Sequence, residues 1–137
     1  MAAVSCCGEK CSKSLVSVYV VAYIISMKQY EIEIYETEAG DAPFEDWLDA
    51  IKNAEAKTQV LARIRRASLG NFGDWKALAG AAGICEMRIH QGQGFRIFYT
   101  VVGQKIVLLL AGSTKKEQDK TIAKAKTYLE DYNRRVN

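Results

Sequence analysis

The chain reads as an α+β domain, and three features of its 137 residues predict that class. Apolar and polar residues alternate in separated stretches, apolar stripes recur at helical spacing in the middle and at the carboxy-terminal end, and Ile106-Val107-Leu108-Leu109-Leu110 runs without a polar break. The expected order is an N-terminal strand, a two-helix hairpin, an antiparallel three- to four-stranded sheet and a C-terminal helix, with the helices packed on one sheet face.

Residues 29–36 alternate, with Tyr30, Ile32 and Ile34 opposite Glu31 and Glu33, so a strand is expected there, its acidic side marking a solvent-facing edge. Gly40-Asp41-Ala42-Pro43 turns into a helix, with Pro43 in the first turn and Asp41 or Ala42 as the cap. Phe44, Trp47, Leu48 and Ile51 follow at the spacing of one buried helix face. Lys52-Asn53 interrupts the pattern, and Ala56, Val60, Ile64 and Ala67 start a second stripe that Gly70 closes as a C′ glycine. The glycine-rich residues 71–83 surround Trp75-Lys76-Ala77-Leu78, a loop with one short strand. No Gly-Lys-Ser/Thr closes it, so it is not a phosphate loop. Gly103-Gln104 leads into a strand over residues 105–111, whose apolar run implies cover on both faces. Gly112-Ser113 should end that strand and Thr114 with Glu117 should form a capping box. Ile122, Ala125, Leu129 and Tyr132 then give the last helix its buried stripe.

The length suits one domain with a core of its own. The net charge is only +3, but cations gather at residues 63–66, 115–126 and 134–135. That permits nucleic-acid contact and equally fits solvated helix faces. Three of the four cysteines, Cys6, Cys7 and Cys11, crowd the first eleven residues. They form neither a disulfide framework nor a four-ligand zinc set, so no metal or other cofactor is expected. Residues 1–26 differ from the rest. Their apolar run, residues 15–25, falls short of the roughly 20 residues that span a bilayer. It reads as a signal segment, an added edge strand or, as we favour, an appendage ahead of a start at Met27. The domain proper is then 27–137, and the cytoplasm is its expected compartment, with no membrane partner.

Glu86 to Arg96 carries the most information. Its alternation predicts a β-hairpin with a Gln91-Gly92-Gln93 loop, pairing Arg88 with Arg96, Met87 with Ile97, Cys85 with Tyr99 and Ile89 with Phe95. Glu86, Arg88 and His90 then share one side, and Cys85 sits as a structural thiol on the apolar other. Opposed guanidiniums destabilise a sheet by about 0.2–1 kcal/mol unless an anion or carboxylate shares them. A polyanionic ligand is one reading of that face, and a solvated polar face is the other.

Arg88, Arg96 and Lys115 suit stabilisation of a phosphate and of the charge that develops on it during cleavage. Glu86 or His90 supplies a base or an acid for a 2′-hydroxyl and a leaving oxygen. His90 is also readable as a surface residue and Lys115 as a solvated one. No serine or cysteine has a histidine and carboxylate in a recognisable order.

Phe44-x2-Trp47-Leu48, Arg63-x2-Arg66, Gly70-Asn71-Phe72-Gly73-Asp74, Glu86-x-Arg88, Gly92-x-Gly94-Phe95-Arg96-Ile97-Phe98-Tyr99, Leu108 to Gly112 and Lys115-x2-Gln118-Asp119-x2-Ile122-x2-Ala125 together resemble the RelE/ParE toxin superfamily. Within it they look most like the HigB-like, phage-type killer proteins of addiction modules. The resemblance runs from Met27 to about Tyr132. It implies a RelE-like fold and the toxin of a type II toxin–antitoxin system, neutralised by a cognate helix-turn-helix antitoxin and acting as a ribosome-dependent mRNA endonuclease. It assigns transition-state stabilisation to Arg96, basic contacts to Arg88 and Lys115, and a further RNA contact to Lys76. Arg63, Arg66 and His90 complete the expected RNA-binding set. Two departures stand out: Glu86 replaces a lysine of RelE, and Ile122 falls where RelE has its catalytic tyrosine. The alternative within the superfamily is a ParE-like, non-enzymatic inhibitor of DNA gyrase.

Overall fold

A computed structural model describes residues 29–136. The apolar run at residues 15–25 and the boundary at Met27 lie outside the described residues. The elements are β1 (Glu31–Ile34), α1 (Pro43–Ala50), α2 (Ala54–Ser68), β2 (Trp75–Ala77), β3 (Cys85–Ile89), β4 (Phe95–Val102), β5 (Ile106–Thr114), a 3₁₀ turn (Lys115–Glu117) and α3 (Gln118–Val136). The sheet order is β1-β5-β4-β3-β2, antiparallel throughout except that β1 runs parallel to β5. The expected α+β architecture is therefore present and is consistent with a RelE-like fold, the four antiparallel strands being joined by a fifth, parallel one.

Local chemistry sets the helix ends. Ala42 occupies the cap of α1 without a side-chain bond, and Pro43 opens the helix where a missing N–H costs nothing. The Lys52-Asn53 interruption is a helix start, since Asn53 Oδ1 accepts the N–H groups of Glu55 and Ala56. Gly70, at φ +89°, closes α2 as expected. Its N–H donates to the Ala67 carbonyl and that of Asn71 to the Arg66 carbonyl, the paired bonds of a Schellman stop.

Helices cover both sheet faces, not one. Phe44, Val60 and Ala67 of α1 and α2 pack on Met87, Ile97, Tyr99, Val107 and Leu109, while Ala125 of α3 joins Phe98, Leu108, Leu110 and Ala111 on the opposite face. The unbroken apolar run requires this, because Leu108 and Leu110 need cover as much as Val107 and Leu109 do. The far end of α3 is tied to the segment after β1. The Tyr35 hydroxyl donates to Asp131 Oδ2 at 2.6 Å, and Arg135 bonds both Asp131 and the Glu36 carbonyl.

β5 does not stop at Gly112-Ser113. It continues to Thr114, because Ile97, Arg96 and Phe95 pair with Gly112, Ser113 and Thr114. A bulge between Phe98 and Tyr99 lets both Leu110 and Ala111 face α3. Beyond the bulge, alternation turns Gly112 toward Trp47 of α1 and Ser113 toward α3. The capping box is absent: Thr114 makes no side-chain cap bond, and the 3₁₀ turn comes between β5 and α3. Among the described residues no helix is long and apolar enough to cross a membrane.

Candidate functional site

The hairpin pairs in the expected register, Arg88 opposite Arg96 and Met87 opposite Ile97. Its polar side faces α3, and the part that carries Glu86 and Arg96 is not solvated. Glu86 is 1% exposed and Arg96 6%. Long charged side chains sit there because ion pairs and hydrogen bonds compensate their desolvation.

Glu86 is the hub of one half. Its Oε1 lies 3.7 Å from Lys76 Nζ, its Oε2 lies 3.9 Å from Arg96 Nε, and Gln118 Nε2 donates to Oε2 at 3.2 Å. Three elements thus converge on one carboxylate: Lys76 stands opposite Glu86 on β2, Arg96 comes from β4, and Gln118 opens α3. Arg96 Nη1 donates to the Phe95 carbonyl at 3.2 Å. Its Nε and the Ser113 hydroxyl, directly opposite in the sheet, are buried without a hydrogen-bond partner in the described residues.

Asp74 organises the other half. It accepts an ion pair from Arg88 Nη2 at 3.2 Å through Oδ1, and its Oδ2 is hydrogen-bonded to His90 Nε2. The bond with His90 outweighs the opposing effect of desolvation and, with the charge of Arg88 added, holds the Asp74 carboxyl below the usual carboxylate range. His90 itself is largely exposed. Asp74 was not among the residues expected at the site. It lies in a glycine-rich loop, and the available signal was its place one residue before β2, opposite Arg88, whose N–H donates to the Asp74 carbonyl.

The remaining expected residues separate. Lys115 opens the 3₁₀ turn beside the hairpin, its N–H donating to the Gly94 carbonyl at 3.2 Å and its Cβ packing against Gly94. That amide is therefore spent on the hairpin and is not free for an anion. Arg63 reaches the cluster from α2, but its guanidinium is engaged by the carbonyls of Arg88 (2.7 Å), Phe72 (3.0 Å) and Asp74 (3.2 Å), which makes it a clamp on the site's backbone. Arg66 stays exposed on the same helix. Cys85 packs on the apolar side, where burial pushes its thiol pKa up and leaves it a poor nucleophile. Ile122, on α3 itself, is partly buried against the core cluster beneath that helix. No group of three or more potential metal ligands occurs among the described residues.

The sequence model of the phage-derived protein Gp49-like family (DUF891) matches residues 46–134, which contain the whole cluster. The chain belongs to the Gp49-like family. This family is related to toxin–antitoxin systems, as an addiction-module killer family, which implies an antitoxin partner. A protein of Haemophilus influenzae (strain ATCC 51907 / DSM 11121 / KW20 / Rd), described as an uncharacterized protein, is 45% identical over 83 residues, 61% of the present Gp49-like chain and 82% of its own length.

Proposed function

We propose that this Gp49-like chain is the toxin of a type II toxin–antitoxin pair, of the HigB-like kind, and that it cleaves mRNA on the ribosome in the cytoplasm. The observation that carries this reading is the set of buried donors facing α3 with no hydrogen-bond partner in the described residues: Arg88 Nε, Arg96 Nε and the Ser113 hydroxyl. Buried polar groups are nearly always satisfied, and phosphate oxygens are what two opposed arginines and a hydroxyl satisfy best. Lys76 and Lys115 add charge at the rim.

In the proposed reaction a base removes the proton of a 2′-hydroxyl, that oxygen attacks the adjacent phosphorus, and the bond to the 5′-oxygen breaks as this oxygen is protonated. The products are a 2′,3′-cyclic phosphate and a 5′-hydroxyl. Arg96, Arg88 and Lys115 stabilise the charge gathering on the phosphate oxygens. His90, exposed and bonded to Asp74, moves the proton in this scheme. Glu86, paired with Arg96, acts in this scheme by holding that arginine. The antitoxin is proposed to be a helix-turn-helix protein.

The test is to induce the protein briefly and map new mRNA 5′ ends, with wild type and with Arg96→Lys, which keeps the buried charge but loses the fork. Cleavage of translated transcripts by wild type alone is expected; uncut transcripts overturn the reading. One observation favours the gyrase-inhibitor alternative: Ile122 is apolar and partly buried where RelE has its tyrosine. Loss of supercoiling by purified gyrase on adding the protein supports that alternative.

A further inference from the structure

On the sheet face opposite α3, between α2 and the hairpin tip, lies a surface hollow of about 500 Å³ walled by Asn53, Gln59, Gln91 and Gln93, with Phe95 beneath. That volume falls within the roughly 300–1,000 Å³ of small-ligand sites. The side chains of Gln59, Gln91 and Gln93 have no hydrogen-bond partner among the described residues. Asn53 spends only its oxygen, on the α2 cap, and keeps its amide donors. Four carboxamides, each group carrying donors and acceptors at fixed separation, thus surround one hollow.

The hollow continues in both directions. Through Gln59 and Gln91 it joins a second, of about 590 Å³, reaching Arg66 and His90. Through Asn53, Gln93 and Phe95 it joins a third, of about 400 Å³, reaching Trp47, Lys52 and Thr114. Asp74, which is bonded to His90 and paired with Arg88, lines the second hollow beside His90, so that end of the groove adjoins the cluster, while Thr114 at the other end precedes Lys115 in the chain. Arg66 stands at one end, where the carboxylate of Asp74 is already shared by Arg88 and His90, Lys52 stands at the other, and amides line the middle. Glu55, also in the central wall, repels a phosphate there and favours an uncharged group.

We propose that this groove reads the bases of a single-stranded RNA next to the scissile phosphate, Gln59, Gln91 and Gln93 bonding base edges while the terminal cations hold flanking phosphates. Carboxamides suit that task because their paired donor and acceptor match the edge of a base. The inference rests on the RNA reading above and adds to it a surface that sets sequence preference.

The test uses the full chain and labelled hexanucleotides of A, C, G or U with 2′-O-methyl groups, which cannot be cleaved because the 2′-oxygen cannot attack. Fluorescence anisotropy should show wild type preferring one base by about tenfold or more. The variant Gln59→Ala/Gln91→Ala/Gln93→Ala should bind all four alike, and Arg96→Lys should keep the preference while binding each more weakly. If the triple variant does not fold, Gln91→Ala/Gln93→Ala at the exposed hairpin tip reads the same loss. A preference that survives these substitutions, or a wild type that binds the four alike, overturns the groove. A protein that leaves transcripts uncut but shows the preference overturns the nuclease and not the groove.

Discussion

Arg88 and Arg96 stand directly opposite one another on β3 and β4, yet each is matched to a different carboxylate: Asp74 Oδ1 lies 3.2 Å from Arg88 Nη2, and Glu86 Oε2 lies 3.9 Å from Arg96 Nε. The repulsion expected of opposed guanidiniums is offset within the sheet itself. One row crosses the face as Asp74, Arg88, Arg96 and Ser113, and the next as Lys76, Glu86, Phe98 and Ala111. Two carboxylates against Lys76, Arg88 and Arg96 leave an excess positive charge, and Lys115 adds to it. The cluster is therefore stable alone and still attractive to an anion.

Glu86 should matter more to stability than to charge. Glu86→Ala strands Arg96 in a nearly dry site, and removing one partner of a buried pair costs about 3–5 kcal/mol. Urea unfolding should show a lower midpoint with an unchanged slope, and Glu86→Leu/Arg96→Met should recover much of the loss. A Glu86→Ala variant within about 1 kcal/mol of wild type would contradict the pairing.

Asp74 should make stability depend on acid. Its folded pKa is depressed, chiefly by the bond with His90, so its contribution is fully present above the unfolded value of about 3.9 and disappears as pH falls through the folded value. The melting-temperature difference between wild type and Asp74→Asn should shrink as pH falls below about pH 4. A difference that grows on acidification would refute this assignment.

The hairpin register was legible because alternation and loop length allow one pairing that keeps Met87, Ile89, Ile97 and Tyr99 on a common face. The cover over its polar side was not, since Glu86 and Arg88 signal solvent locally and only long-range partners, Gln118 and Asp74, make their burial tolerable. The β5 bulge escaped for a related reason: the leucine run has no alternation, so nothing in it marks where the faces shift. Lys76 was legible as a cation beside the cluster, while Lys115 lies against Gly94 and Arg63, also a cation, proved to be a backbone clamp.

Arg63→Lys should separate charge from geometry. A lysine keeps the cation but cannot reach the carbonyls of Arg88, Phe72 and Asp74 together as the planar fork does. Leaving part-buried carbonyls unpaired costs about 1–3 kcal/mol. The variant should melt earlier, and hydrogen exchange should rise at the Arg88 amide, which donates to the Asp74 carbonyl. Unchanged protection there would show that the clamp does not hold the β2–β3 edge.

Gly112 and Trp47 form the last test, and it concerns packing alone. A Cβ built on Gly112 would lie 2.1 Å from Trp47 Cε3 and 2.4 Å from Cδ2, distances that no side-chain carbon tolerates. The indole also meets Phe44 and Phe95, at centroid separations of 5.6 and 6.0 Å, so it cannot move aside without disturbing α1. Gly112→Ala should therefore cost about 2 kcal/mol or more, at the upper part of the range for overpacking. Trp47→Leu removes the obstructing ring at a cost of its own, so the double variant should be more stable than the sum of the two single losses predicts, by about 1 kcal/mol. Strict additivity in thermal melts would mean that the bulge does not press β5 onto α1.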